Sequence, residues 1–145
     1  MNAHRHAVCL FALTVLIVIP GCPPPRLGGG CAYDETPGVA TIISVSAAGP
    51  DGYNCPNDPF EVVFDFVPTD PEAADLAQTG RHLTVSAGAN PPLAWIEDEG
   101  LTEGTQHNVV RRDITKGTCT PLLFRFIDVD YDAGVAACFD TGSPD

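Results

Sequence analysis

Positive charge is scarce in this chain: 7 Lys+Arg stand against 19 Asp+Glu, a formal net charge of −12. Nucleic acids and anionic lipid headgroups are bound through cationic surface, so the balance argues against both as partners. The motifs of covalent and phosphate chemistry are missing as well. There is no Gly-x-Ser-x-Gly, no phosphate-cradling loop and no Cys-x-x-Cys pair. Zinc ligands are few, since beyond the N-terminal region the histidines are His82 and His107. No internal repeat is visible. Nor does any run reach the ~20 consecutive apolar residues that a membrane-spanning helix needs.

What is present begins at the N-terminus. Arg5, between His4 and His6, precedes an uncharged stretch from Ala7 to Ile19, and Gly21 then offers the small residue of a cleavage site. A positive start, a short apolar core and a small residue make an export signal. The tetrapeptide Ile19-Pro20-Gly21-Cys22 resembles the lipobox of bacterial lipoproteins. That resemblance implies that residues 1–21 are a signal peptide and that Cys22 is lipidated, with palmitate-type acyl chains, and becomes the new N-terminus. The protein is then anchored to a membrane of the cell envelope. Lipoproteins retained at the inner membrane typically carry Asp after the lipidated cysteine. Pro23 stands there, which implies the outer membrane, on its periplasmic or surface face. Residues 22–30, Cys-Pro-Pro-Pro-Arg-Leu-Gly-Gly-Gly, read as a short tether, stiff at the prolines and loose at the glycines. Residues 141–145 read as a flexible tail. Residues 31–140 remain as one domain, large enough to bury a core.

Cysteine usage agrees with export. Cys9 falls within the signal and Cys22 takes the lipid, leaving Cys31, Cys55, Cys119 and Cys138. An even set in an exported domain points to two disulfides. Four cysteines allow three connectivities. The expected one is Cys31–Cys138, joining the domain's ends, with Cys55–Cys119 joining two loops.

The dominant hydrophobic period is two. Val39–Ala47 is rich in β-branched residues. Phe60, Val62, Phe64 and Phe66 alternate with Glu61, Val63, Asp65 and Val67, and Leu83, Val85 and Ala87 alternate with His82, Thr84 and Ser86. His107–Ile114 and Pro121–Tyr131 flank Thr115-Lys116-Gly117-Thr118, a hairpin with Gly117 in the turn. Val135–Phe139 reads as a last short strand. The predicted fold is all-β, an antiparallel β-sandwich of six to seven strands with disulfide-stapled loops. One short helix is predicted, with Asp70 as its N-cap, Pro71 in its first turn and Gly80 at its end. The segment from Gly88 to Thr105 reads as a long irregular loop.

Four constellations are candidates for function. Asp128, Asp130 and Asp132 alternate, so on a strand they share one face and offer the hard oxygen ligands that Ca²⁺ takes. The spacing departs from an EF-hand loop: Gly134 is at its seventh position and Phe139 at its twelfth. The competing reading is a solvated acidic strand edge that resists pairing with other chains. Asn54-Cys-Pro-Asn-Asp-Pro59 is turn chemistry around Cys55, either a presented recognition loop or a plain connection. Trp95, on the loop, is either an exposed binding anchor or a cover for one end of the core. Arg111 and Arg112 fall on opposite faces of one strand, so they do not form a joint basic patch, and one of them is expected to pair with a carboxylate. His82 or His107 beside a carboxylate would be the start of a small hydrolase. The leading expectation is a non-catalytic envelope lipoprotein that needs no cofactor and binds or scaffolds a protein or glycan partner. The runners-up are a Ca²⁺-binding module and the hydrolase.

Overall fold

The computed structural model describes residues 30–49 and 53–139; the expected export signal, the expected lipidation site Cys22, the rest of the expected tether and the expected tail lie outside the described residues. Five strands form one antiparallel sheet: β1 (Ala32–Ala47), β2 (Phe60–Pro68), β3 (Gln78–Leu83), β4 (Gln106–Lys116) and β5 (Leu122–Phe126). Their spatial order is β3-β2-β1-β4-β5. Helix α1 (Leu93–Asp98) lies between β3 and β4, and α2 (Tyr131–Phe139) follows β5.

β1 organises the sheet. Its first part pairs with β4, from Ala32↔Lys116 to Thr41↔Gln106, and its second part pairs with β2, from Gly38↔Pro68 to Ala47↔Phe60. A bulge between Ile42 and Ser44 adds curvature there. Gly38 is needed where the strands bend together: a Cβ at that position would stand 2.3 Å from the Phe66 ring.

The sheet curls until its edges meet. In a flat sheet β2 and β5 would be three strand spacings apart, about 14 Å. Yet the Phe64 ring of β2 packs edge-on against both Phe124 and Phe126 of β5, with centroids 5.4 and 5.1 Å away. The Arg81 guanidinium of β3 lies 5.5 Å from the Phe124 centroid. Strand order, the helix after β3 and the approach of β3 to β5 together have the connectivity of the partly open five-stranded OB-type barrel. The all-β, antiparallel expectation holds. In place of two stacked sheets of six to seven strands, one curved sheet of five encloses the core, so Ala40, Ile42, Val62, Phe64, Phe66, Val109 and Phe126 are all buried inside it.

Three expected strands are helical or shorter. Val135–Phe139 belongs to α2, because Asp130 accepts from the backbone N–H groups of Asp132 and Ala133 and starts a helix there. β5 stops at Phe126 rather than Tyr131, and β3 stops at Leu83, before Val85 and Ala87. The Asp70–Pro71 start is observed, with Asp70 accepting from Glu72 N at 2.9 Å, but the helix is a 3₁₀ segment, Pro71–Leu76. Gly80 lies instead within β3, at φ +61°.

The two barrel ends are closed differently. At one, Trp95 and Ile96 of α1, with Leu101, are buried beneath α2. At the other, the nearly buried Arg111 fills the space between β4 and the 3₁₀ segment, where Nη1 donates to the Leu76 carbonyl oxygen. The disulfides follow the same division. Cys31–Cys119 ties the start of β1 to the β4–β5 connection, and Cys55–Cys138 ties the β1–β2 connection to α2. The expected pairing of Cys31 with Cys138 and of Cys55 with Cys119 is therefore corrected. The β1–β4 register puts Cys31 beside residues 116–119, and α2 carries Cys138 to the opposite end.

Candidate functional site

The cations are informative because they are rare. Among the described residues, Arg111 holds Asp113 through two hydrogen bonds of 2.8 Å, Nε to Oδ2 and Nη2 to Oδ1. Arg112 lies against Glu35, with Nε 2.9 Å from Oε1 but its N–H misaligned, so the contact is an ion pair without a hydrogen bond there; it also covers the Tyr33 ring. Both arginines thus have carboxylate partners, on opposite faces of β4 as their spacing requires.

Among the described residues, Arg81 and Arg125 have no carboxylate within ion-pair distance, and both border the gap between β3 and β5. The backbone hydrogen bonds of β3 run to β2 and those of β5 to β4; none joins β3 to β5. Two free strand edges therefore confront each other across an open seam. A cavity of about 820 Å³ sits at one end of it, walled by Leu123, Phe124 and Arg125 of β5, by the 84–88 turn, and by Tyr131 and Val135 of α2. A smaller hollow of about 270 Å³ continues toward Arg81 and shares Thr84, Thr120, Leu123 and Phe124 with the first. Together they form one groove with an apolar floor and an arginine near each end.

The rim is held in an uncommon conformation. Ala87 at φ +54° and Gly88 at φ +83° are consecutive left-handed residues. A Cβ in that region costs about 1–2 kcal/mol. The turn persists because Val85 N donates to Ala89 O and Ala89 N to Ser86 O. On the opposite wall the Tyr131 hydroxyl accepts from Phe126 N at 3.3 Å. Burial raises its pKa above the ordinary 10.0 and Asp128 adds to the rise, while the Phe126 hydrogen bond and the Arg125 charge lower it.

The residues singled out in the sequence are placed elsewhere. Trp95 is on helix α1, is only 2 % exposed, and donates from Nε1 to Asp130 O at 2.9 Å. It covers an end of the core, and the exposed-anchor reading is corrected. Asp128, Asp130 and Asp132 do not lie on an extended strand, and the geometry that would align them is absent. Asp128 Oδ1 stands 3.4 Å from His107 Nδ1, Asp130 starts α2, and Asp132 is exposed in the first turn of α2. Among the described residues no group of three or more His, Cys, Asp or Glu is arranged to hold a metal ion. The Cys55 loop is stitched down rather than presented. Cys55 N donates to Asn90 O, Asn90 N to Tyr53 O, and Asn90 Nδ2 to Asn54 Oδ1.

The hydrolase constellation exists in outline. His107 Nε2 is 3.2 Å from Thr105 Oγ1, while Nδ1 faces Asp128. Its polarity is reversed, however. The Thr105 hydroxyl donates to Thr102 O at 2.7 Å, so toward His107 its oxygen accepts. In a nucleophile–base pair the hydroxyl must give its proton to the imidazole. His82 meets Glu61 at 3.1 Å on the exposed outer face of the sheet.

No protein family, curated protein or solved structure matches the chain at a significant level. The OB-type connectivity accordingly rests on the strand order, the helix after β3 and the approach of β3 to β5. Two disulfides belong to an oxidising compartment, which makes the domain extracytoplasmic. No helix among the described residues is long and apolar enough to cross a membrane.

Proposed function

We propose that this protein is a non-catalytic binding module of the bacterial cell envelope, lipid-anchored through Cys22 at the outer membrane, and that it takes its protein or glycan partner in the seam between β3 and β5. The observation that carries this reading is the open seam: two unpaired strand edges flank an apolar groove, and the arginines without carboxylate partners stand at it. In a chain of net charge −12 those arginines are the local attraction for a partner, and the overall charge disfavours nucleic acid. The reading asks for no cofactor and no catalytic group. The Thr105–His107–Asp128 polarity supports leaving hydrolysis aside.

Two experiments test it. Metabolic labelling with a palmitate analogue should mark the wild-type protein and not Cys22→Ser, which should leave the membrane fraction; unlabelled wild type would end the lipoprotein reading. A photo-crosslinking residue at Leu123, within the seam, should give a discrete adduct in intact cells. The same residue at Val67, 60 % exposed on the outer sheet face, should not. Equal adducts at both positions, or none at Leu123, would end the assignment of the seam.

A further inference from the structure

The seam has a chemistry that selects among partners. Leu123, Phe124 and Arg125 of β5 all border the 820 Å³ cavity. The β4–β5 register directs the main-chain groups of Leu123 and Arg125 to β4, and those of Leu122 and Phe124 to the free edge. Such an edge offers an N–H and a C=O at every second residue, which another main chain matches and a sugar does not. The floor of the groove is aromatic and aliphatic: Phe124 packs on Phe64 and Phe66, and Leu123 and Val135 line the wall. Among the described residues neither Arg125 nor Arg81 has a carboxylate within ion-pair distance, and the Arg81 Nε is buried without a hydrogen-bond partner. Glu35, which lines a hollow with Arg125, and Asp128 are engaged by Arg112 and His107.

We infer that the seam binds an acidic polypeptide segment in extended conformation, which adds a strand to the free edge of β5 and sets its outward carboxylates against Arg125, while Arg81 stands on the inner face of the same seam. This deepens the binding-module reading and rests on it. The free edge runs from Leu122 to Phe124, because the Phe126 N–H is taken by the Tyr131 hydroxyl, so the paired segment is about three residues long, roughly 10 Å at strand rise. Alternation puts every second side chain on the apolar floor and leaves the others, the acidic set, facing outward. The affinity comes from main-chain pairing and from floor contacts, and Arg125 chooses the sign of the ligand.

The test uses the oxidised protein and the capped hexapeptide acetyl-Glu-Val-Glu-Val-Glu-Val-amide, followed by titration calorimetry and by amide hydrogen exchange. Binding should slow exchange at the β5 edge. Replacing the probe's Glu by Lys should abolish binding. Methylating the probe's amide nitrogens at alternate residues should abolish it in at least one of the two possible registers. Arg125→Gln should weaken binding about fivefold, the scale of one charge contact on a partly exposed surface. Arg125 is exposed and makes no ion pair, so its variant keeps the wild-type fold and melting midpoint, and the test does not depend on Arg81, whose side chain packs on Phe124.

Undiminished binding of both methylated peptides would overturn strand addition, and unchanged affinity in Arg125→Gln would overturn the acidic selection. If the hexapeptide fails while an acidic oligogalacturonide protects the same edge, the partner is a glycan and this inference falls while the module stands. If neither probe binds, the inference also falls. The Leu123 crosslink then decides the module reading without reference to any probe.

Discussion

The two ends of the barrel solve the same problem with different physics. One is closed by apolar mass: Trp95, Ile96 and Leu101 are buried under α2, which approaches so closely that a Cβ on Gly134 would lie 2.8 Å from the indole ring. The other is closed by a charge, with Arg111 laid across the opening and satisfied by Asp113 and the Leu76 carbonyl. Apolar closure is stabilising in proportion to the area removed from water. A paired arginine covers area too, but its desolvation offsets much of the gain, so it fixes geometry more than it adds stability. The apolar end is therefore expected to hold the fold, and the arginine end to set how the β2–β3 connection sits on β4.

The largest effect that would break this comparison is at the apolar end. Trp95→Ala removes a ring in contact with α2 and leaves the Asp130 carbonyl with Gly134 N as its remaining donor. It should cost about 3–5 kcal/mol in urea unfolding. A loss below ~1 kcal/mol would mean that α2 does not depend on the indole. Gly134→Ala should damage the same contact, since helix propensity favours alanine and only the clash opposes it. A stabilised Gly134→Ala would contradict the close packing.

Next come the disulfides, one at each end. Each closes a long span, with separations of 83 and 88 residues, and the chain-entropy argument gives either about 4–5 kcal/mol. Entropy alone therefore makes them equal, and the ends make them differ. Cys55 and Cys138 are buried in the apolar end, whereas Cys119 is exposed. Replacing Cys55 and Cys138 by Ala should lower the melting midpoint more than replacing Cys31 and Cys119. Mild reductant should open Cys31–Cys119 first, and peptide mapping of the trapped thiols would show which opened. The same map checks the connectivity itself, since cross-linked peptides joining Cys31 to Cys138 would refute it.

How much of this was legible in the sequence varies with the range of the interaction. β2 was read correctly because alternation from Phe60 to Val67 is local and period two is written into consecutive residues. The Asp70–Pro71 start was likewise visible, being one side chain capping a neighbour. The last element differs from its expected strand because Val135-Ala-Ala-Cys-Phe139 is a short apolar run that suits strand and helix equally, and the side chain of Asp130, a candidate metal ligand by spacing, settles the matter. Trp95 lies on a helix where the sequence suggests a loop, although Pro91-Pro92 ahead of Leu93 is a reasonable helix start. The disulfide pairing and the seam were out of reach. Both depend on how far the sheet curls, which is set by a bulge and by Gly38 under Phe66, and no local pattern near Arg81 or Arg125 announces that two edge strands will meet.

A smaller effect tests the arginine end. Asp113→Asn keeps the shape and removes the charge opposite Arg111. Because the Asp113 side chain is 37 % exposed, water screens part of the loss, and about 1–2 kcal/mol is expected rather than the 3–5 of a fully buried pair. Arg111→Met, which removes charge and desolvation together, should cost less than Asp113→Asn. If Met proves the worse substitution, the guanidinium is a net stabiliser and the contrast between the two ends weakens.

The smallest expected effect links the closed end to the seam. Tyr131 belongs to both, packed near Trp95 with ring centroids 6.2 Å apart while its flank lines the groove. Its pKa is raised in the folded protein above the ordinary 10.0, chiefly by burial. The folded state therefore holds this proton more tightly than the unfolded chain. Below pH 10 both states are protonated and stability is insensitive to the group. Above it the unfolded chain ionises first, so stability falls as pH rises until the folded tyrosine ionises too. Tyr131→Phe should remove that alkaline slope while costing about 1 kcal/mol at neutral pH, the worth of the hydrogen bond from Phe126 N. Phe126 pairs with Val109 in β5. Loss of that bond should therefore also loosen the β5 edge and raise its hydrogen-exchange rate. An unchanged edge with an abolished slope would show that Tyr131 serves only the apolar end, and that the seam holds its shape without it.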